Sequence, residues 1–247
     1  MKFTLLLFLI LPFFGVSQIK DYFKNNKIYT YNTVYIDSKG DTIIKGEVKM
    51  CPTSKKWIFQ PGKQKELTFL FKPDTVSDNK YVDPEVFFAK KHRKRIKKRG
   101  YIGFFSKVIT GGFVDSTRFY FHPPRVNQYR RLFYAPHPQI ELIAFEKKQH
   151  LYFTKLHIYG IGVYNHKYIY TKSININLFK ESIKTWNLFV DSNMEFKNEK
   201  IVKRKAQSNE CFDSTLKAKF CREYGFITID YKFDNGIEIK FELVEVE

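Results

Sequence analysis

The chain of 247 residues is poor in the features that usually mark a catalytic or metal centre. Its three cysteines, Cys51, Cys211 and Cys221, form no pair at zinc-ligand spacing. There is no His-Glu-x-x-His, no Gly-x-Ser-x-Gly elbow and no glycine-rich phosphate loop ahead of a helix, so the local motifs of zinc peptidases, serine hydrolases and nucleotide enzymes are missing. No internal repeat or Gly/Ser/Pro-rich linker divides the sequence. After residue 14 no apolar stretch approaches the roughly 20 residues that cross a bilayer. Acidic residues are also scarce: 25 Asp and Glu face 43 Lys and Arg, a formal net charge of +18.

The N-terminus gives the first positive reading. In MKFTLLLFLILPFFGVSQ one Lys precedes an apolar run from Phe3 to Phe14, followed by small residues at Gly15 and Ser17. That layout predicts a secretory signal, residues 1–17, cleaved after Ser17; the alternative is a buried N-terminal strand. With no Cys at the cleavage point, a lipoprotein anchor is not expected. The mature chain then has no transmembrane span, carries 18 − 1 = +17, and belongs outside the cytoplasm, periplasmic or extracellular.

Location changes the meaning of AKKHRKRIKKRG, Ala89–Gly100, where eight of twelve residues are Lys or Arg. Outside the cytoplasm the available polyanions are lipid phosphates, lipopolysaccharide and cell-wall polymers, and nucleic acid is disfavoured as a partner. Asp83, Pro84 and Glu85 make a helix start, and Gly100 a stop. One basic α-helix is predicted over about 84–99, with Phe88, Ala89, His92 and Ile96 on a narrow stripe. Lys90, Lys91, Arg93, Lys94, Lys97 and Lys98 lie on its charged face. These six, with Arg125 and Arg130 from PPRVNQYRR, are the candidate anion-binding residues. Arg118 and Arg131 are further members of that group, and a solvated, Lys-rich face is the competing explanation.

Elsewhere period-two patterns dominate, with 26 Phe and 16 Tyr suited to half-buried strands. Ile28–Ile36 and Thr42–Met50 flank a Gly-containing loop; strands are also expected on both sides of Pro61-Gly62 and through Trp186, Leu188 and Val190. Phe226–Phe233 and Ile237–Val246 flank an Asp-Asn-Gly turn, and Ile237, Ile239, Phe241 and Leu243 should share the buried face. Between Ser173 and Lys184 strand and short helix cannot be separated. The fold class expected is mainly β, an antiparallel sheet in an open-barrel or sandwich form with one basic helix. The predicted division is an N-terminal β-rich segment, 18–99, and a C-terminal antiparallel β domain, 100–247.

FHPPRVNQYRRLFYAPHPQIEL, Phe121–Leu142, and STLKAKFCREYGFITIDYKFDNGIEIKFELVEV near the C-terminus resemble a family of secreted Bacteroidota proteins without an assigned activity. The shared features are His122-Pro123-Pro124-Arg125, a Pro-aromatic-Pro stretch in which His137 here replaces the aromatic, and Tyr224-Gly225-Phe226 before a last hairpin. The resemblance spans about Phe121 to Val246, half of the chain. It implies a secreted, β-rich protein and brings no catalytic residues.

Candidate chemistry is thin. Five of the six His fall between His122 and His166, but the gaps from His150 to His157 and from His157 to His166 are odd, which on a straight strand sends side chains to opposite faces. Neither a metal nor another cofactor is expected. His122 and His137, flanked by prolines, should sit in rigid extended segments as ligand contacts or as rim packing. Tyr159–His166, YGIGVYNH, reads as a close-packed turn or bulge. If Ile201–Gln207 and Thr215–Phe220 form a hairpin, Cys211 and Cys221 lie at opposite ends of a strand about 20 Å long. A bridge needs Cα atoms within about 7 Å, which leaves Cys51 with either, or three thiols. Two functions remain: a non-enzymatic envelope protein binding anionic components through its basic helix, which is favoured, and an envelope hydrolase acting on glycan or peptide through a dispersed carboxylate/His site.

Overall fold

The computed structural model describes residues 27–57, 64–76, 106–114, 117–122, 136–145, 147–158, 162–197 and 213–247. They form one twelve-stranded sheet. Its strands are β1 (Tyr29–Ile36), β2 (Thr42–Lys56), β3 (Lys65–Val76), β4 (Ser106–Val114), β5 (Arg118–Phe121), β6 (Gln139–Glu141), β7 (Gln149–Ile158), β8 (Gly162–Leu178), β9 (Glu181–Phe196), β10 (Ser214–Cys221), β11 (Gly225–Phe233) and β12 (Glu238–Val246). Every pairing is antiparallel.

The order is that of a meander opened at one point. From β1 the chain steps outward strand by strand to β6 at one edge. It then restarts at the opposite edge with β7 and steps back to β12, which pairs with β1. Residues 18–99 contribute β1–β3 and residues 100–247 contribute β4–β12; ladders β3–β4 and β1–β12 cross that division.

Strands such as β10 and β12 bury alternate residues, so one face of the sheet must be covered. The sheet covers it by curling on itself. Phe119 of β5 meets Phe220 of β10 and Phe226 of β11 edge-on, with ring centroids 5.1 and 5.5 Å apart. The Tyr31 hydroxyl of β1 donates to the Phe226 carbonyl at 3.0 Å. A short 3-10 turn, Leu142–Phe145, joins the two edges and buries Ala144 and Phe145 in the same core. The expected antiparallel, mainly β architecture is therefore present as a curled, open sheet. The expected helix over 84–99 lies outside the described residues. Among those described, no helix is long and apolar enough to cross a membrane.

Two turns show where the sequence was legible and where it was not. In the last hairpin the positive φ falls on Gly236 alone, at +87°. Phe233 N–H bonds the Ile237 carbonyl and Gly236 N–H bonds the Phe233 carbonyl, a three-residue loop rather than a two-residue Asn-Gly turn. Between β8 and β9 the turn is Phe179-Lys180, with φ +49° and +68°. Two positive φ values in a two-residue loop normally demand Gly, Asn or Asp, and the absence of those residues hid this hairpin.

The YGIGVYNH reading acquires a reason at Gly162. A Cβ there would lie 2.0 Å from the Glu195 carbonyl oxygen, a backbone atom with no rotamer to retreat into. Gly162→Ala is expected to cost about 1–3 kcal/mol through forced separation of β8 and β9. Denaturant titration should show that loss; an unchanged midpoint would mean the two backbones are not this close.

Candidate functional site

The eight candidate anion-binding residues, Lys90, Lys91, Arg93, Lys94, Lys97, Lys98, Arg125 and Arg130, lie outside the described residues. Arg118 is described. It is exposed on β5, directly across from Glu141 of β6, with its guanidinium 5.7 Å from the Phe113 ring centroid.

What the structure brings together is a cluster of rings beside the open seam. It begins at Gly111 of β4, where a Cβ would fall 2.5 Å from Trp57 and 2.2 Å from Gln64 Oε1. Glycine lets the indole lie against the strand. Trp57 N–H bonds the Gln64 carbonyl at 2.9 Å, and the Gly111 carbonyl accepts from His122 N–H at 2.8 Å. The ring of His122 then lies 4.6 Å from that of Trp57 and 4.3 Å from that of His137. His122 Nδ1 is 3.4 Å from His137 Nε2, and Tyr120 Oη is 2.5 Å from His137 Nδ1.

The β5–β6 ladder sets this meeting, with Tyr120 opposite Gln139. Proline on both sides of His137 holds its backbone extended. Two imidazole nitrogens in contact share one proton well and two badly, since both cannot donate to each other. The arrangement can relay or hold a proton. Among the described residues no group of three or more His, Cys, Asp or Glu side chains gathers as a metal site would need.

Three tyrosine hydroxyls fasten the neighbouring segment across the inner face. Tyr231 donates to the Pro136 carbonyl at 3.2 Å, Tyr168 to that of His137 at 3.3 Å and Tyr170 to that of Gln139 at 3.3 Å. Burial raises the pKa of all three phenols above the ordinary value, so they remain donors throughout the neutral range. At the seam itself Glu141 Oε2 of β6 meets His150 Nε2 of β7 at 2.6 Å. The His150 ring stacks on Tyr170, with centroids 5.8 Å apart. The seam thus has clasps where a closed barrel would have a ladder. Their partners are far apart in sequence, 95 residues for Tyr231 and Pro136, and the only local hints were the Pro-flanked histidines and the alternating tyrosines of β8.

The remaining titratable groups separate as the odd spacings predicted for β7: His150 is half-buried on one face and His157 exposed on the other. His166 of β8 is buried, with Nδ1 2.9 Å from Ser192 Oγ. Burial pushes the Cys221 thiol up to about 12, which leaves little thiolate at neutral pH to act as a nucleophile. Cys51, on β2, is not joined to Cys221, on β10. Thr215–Phe220 pairs on one side with Asp191–Trp186 of β9 and on the other with Lys232–Phe226 of β11, so both of its edges are taken by described strands. Residues 201–207 and Cys211 lie outside the described set.

No family model matches the chain, and no curated protein does. Solved structures show weak similarity. A candidate exported protein with a YmcC-like fold from Bacteroides fragilis aligns at 5% identity and TM-score 0.40, covering 91% of this chain and 96% of that one. A candidate lipoprotein from Parabacteroides distasonis aligns at 8% identity and TM-score 0.39, over 91% and 96% of the two chains. A candidate outer membrane lipoprotein-sorting protein domain from Vibrio parahaemolyticus gives 8% identity and TM-score 0.26, over 90% and 84%. Similarity this low is no guide to what this chain binds.

Proposed function

We propose that this is an exported, non-enzymatic envelope protein whose curled sheet carries a basic segment that binds anionic envelope components, the phosphates of lipid or lipopolysaccharide. The carrying observation is how the charge is distributed along the sequence: Ala89–Gly100 holds eight Lys and Arg and no Asp or Glu, so this one run of twelve residues carries +8 of the chain's net +18. A uniformly Lys-rich composition would spread the excess evenly. The signal-like N-terminus supports the location, and removal of residues 1–17 takes away only Lys2 from that charge.

The hydrolase reading has one observation in its favour, the His150–Glu141 contact. That pair also clasps β6 to β7 and stacks beneath Tyr170, which is sufficient reason for its presence.

Changing Lys90, Lys91, Lys94 and Lys97 to Gln tests the proposal. Each cation near an anionic surface contributes about 1 kcal/mol, so low-salt co-sedimentation with lipopolysaccharide or anionic vesicles should fall roughly tenfold or more. Wild-type binding should weaken steeply between about 0.1 and 1 M salt as the Debye length shrinks from about 10 to 3 Å. Equal, salt-insensitive binding by both proteins would reduce the run to a solvated face.

A further inference from the structure

The β7–β8 hairpin has a one-sided composition. From Lys147 to Lys180 there are six lysines and no Asp or Glu. Its first strand is also an edge of the sheet, paired among the described residues with β8 alone. Three of the five large hydrophobic side chains exposed among the described residues, Leu151, Phe153 and Leu156, sit on this strand. Phe153 is 66% exposed and Leu151 46%.

Ladder register shows what surrounds the two outward residues. Leu151 lies opposite Ile169 of β8, which lies opposite Phe189 of β9. Phe153 lies opposite Lys167, and Phe189 is flanked on its other side by Lys217 of β10. Leu151, Phe153, Ile169 and Phe189 thus form an apolar patch on the outer face, bordered by Lys155, Lys167 and Lys217. Two acids face this border, Asp191 across from Lys167 and Asp230 of β11 across from Lys217, and neither lies on β7 or β8.

We propose that this outer face of β7–β9 docks on an anionic lipid bilayer surface, with Phe153 and Leu151 entering the boundary between headgroups and acyl chains and the bordering lysines holding lipid phosphates. Exposed apolar area of this kind marks an interaction surface, and a lysine border around Phe and Leu matches an interface with hydrocarbon below and phosphate above. Charge selects among occupants. A second copy would set one acid-free, six-lysine hairpin against another. An acidic strand added along the β7 edge would use backbone hydrogen bonds in the plane of the sheet and leave Phe153, which points out of that plane, uncovered. A bilayer covers it. The inference shares the envelope-surface reading above but uses a separate set of residues.

The experiment places Phe153→Trp in the full mature chain and reads its emission with phosphatidylcholine vesicles, with and without phosphatidylglycerol. A blue shift only with the anionic vesicles is expected, because hydrocarbon burial at this site depends on the lysine border. In parallel, Leu151→Ser/Phe153→Ser should lose, by about tenfold or more, the binding that survives about 1 M salt, where charge is screened. The Lys90, Lys91, Lys94, Lys97 variant should keep that salt-resistant fraction. Circular dichroism of the double variant checks that the sheet is intact, and the Trp variant reads the site without removing apolar area. No shift with anionic vesicles to which the protein binds overturns this inference alone. A shift with neutral vesicles too overturns the anionic requirement, and a shift with polyglutamate but no vesicle overturns the membrane as occupant. Failure of the wild type to bind any vesicle removes the envelope-surface reading along with it.

Discussion

Replacing Phe241 with alanine is expected to cost about 3–5 kcal/mol, a large part of the 5–15 kcal/mol typical of a whole domain. Phe241 sits on β12 at the middle of the sheet, opposite Thr33 of β1 and Ile229 of β11, and it is 3% exposed. Strand β12 is where the two halves of the meander meet, so a cavity there loosens both. Shortening this side chain removes apolar contacts that a fixed ladder on each side cannot close up to replace. Glu242, one residue on, faces solvent between Asn32 and Thr228. Glu242→Ala should shift stability by no more than about 0.5 kcal/mol. The pair is a register test: equal destabilisation in urea titrations would mean that β12 is turned over or slipped by one residue.

That register was readable because Ile237, Ile239, Phe241 and Leu243 alternate with charged residues and a glycine turn precedes them. All four are buried. The same logic gave β1 with β2, and the alternation of Trp186, Leu188 and Val190 in β9. Legibility failed where the determining contact was not local. Phe179 and Lys180 occupy a turn conformation their residue types do not announce. Strand β10 carries a clean alternation, yet alternation names a face and not a neighbour, so β9 as its partner could not be read from it. The ring cluster failed for a related reason. Pro-flanked His122 and His137 were visible as stiff, extended positions, but their meeting depends on the β5–β6 ladder and on Gly111 making room for Trp57. The tyrosine clasps follow from how far the sheet curls, which no window of sequence contains.

A second large effect is expected on acidification, through His166. Burial lowers its pKa from the ordinary 6.5 to about 4 in the folded protein, because the imidazolium would lose its hydration inside the sheet. In the unfolded chain the ring regains the ordinary value. Above pH 6.5 both states hold it neutral and it has no effect on the pH dependence. Below pH 6.5 the unfolded chain takes up a proton that the folded one refuses, so stability falls as pH drops toward 4 and levels off beneath it. At 1.36 kcal/mol per pKa unit the loss is about 2 kcal/mol by pH 5 and about 3 kcal/mol by pH 4. Two other shifted groups, Asp230, raised by burial, and Glu238, lowered by its hydrogen bond to Lys240, act in the carboxylate range near the bottom of this window. His166→Gln keeps a polar partner for the Ser192 hydroxyl and cannot titrate. The variant should be less stable than the wild type at pH 7.5, since it disturbs a packed, hydrogen-bonded site. On moving to pH 5 the gap between them should narrow by about 2 kcal/mol, because only the wild type loses the proton-linked contribution. Urea titrations of both proteins at the two pH values measure this difference, and groups common to both cancel in it. Parallel losses would place the His166 pKa near its ordinary value, with the ring reached by water and the Ser192 contact loose.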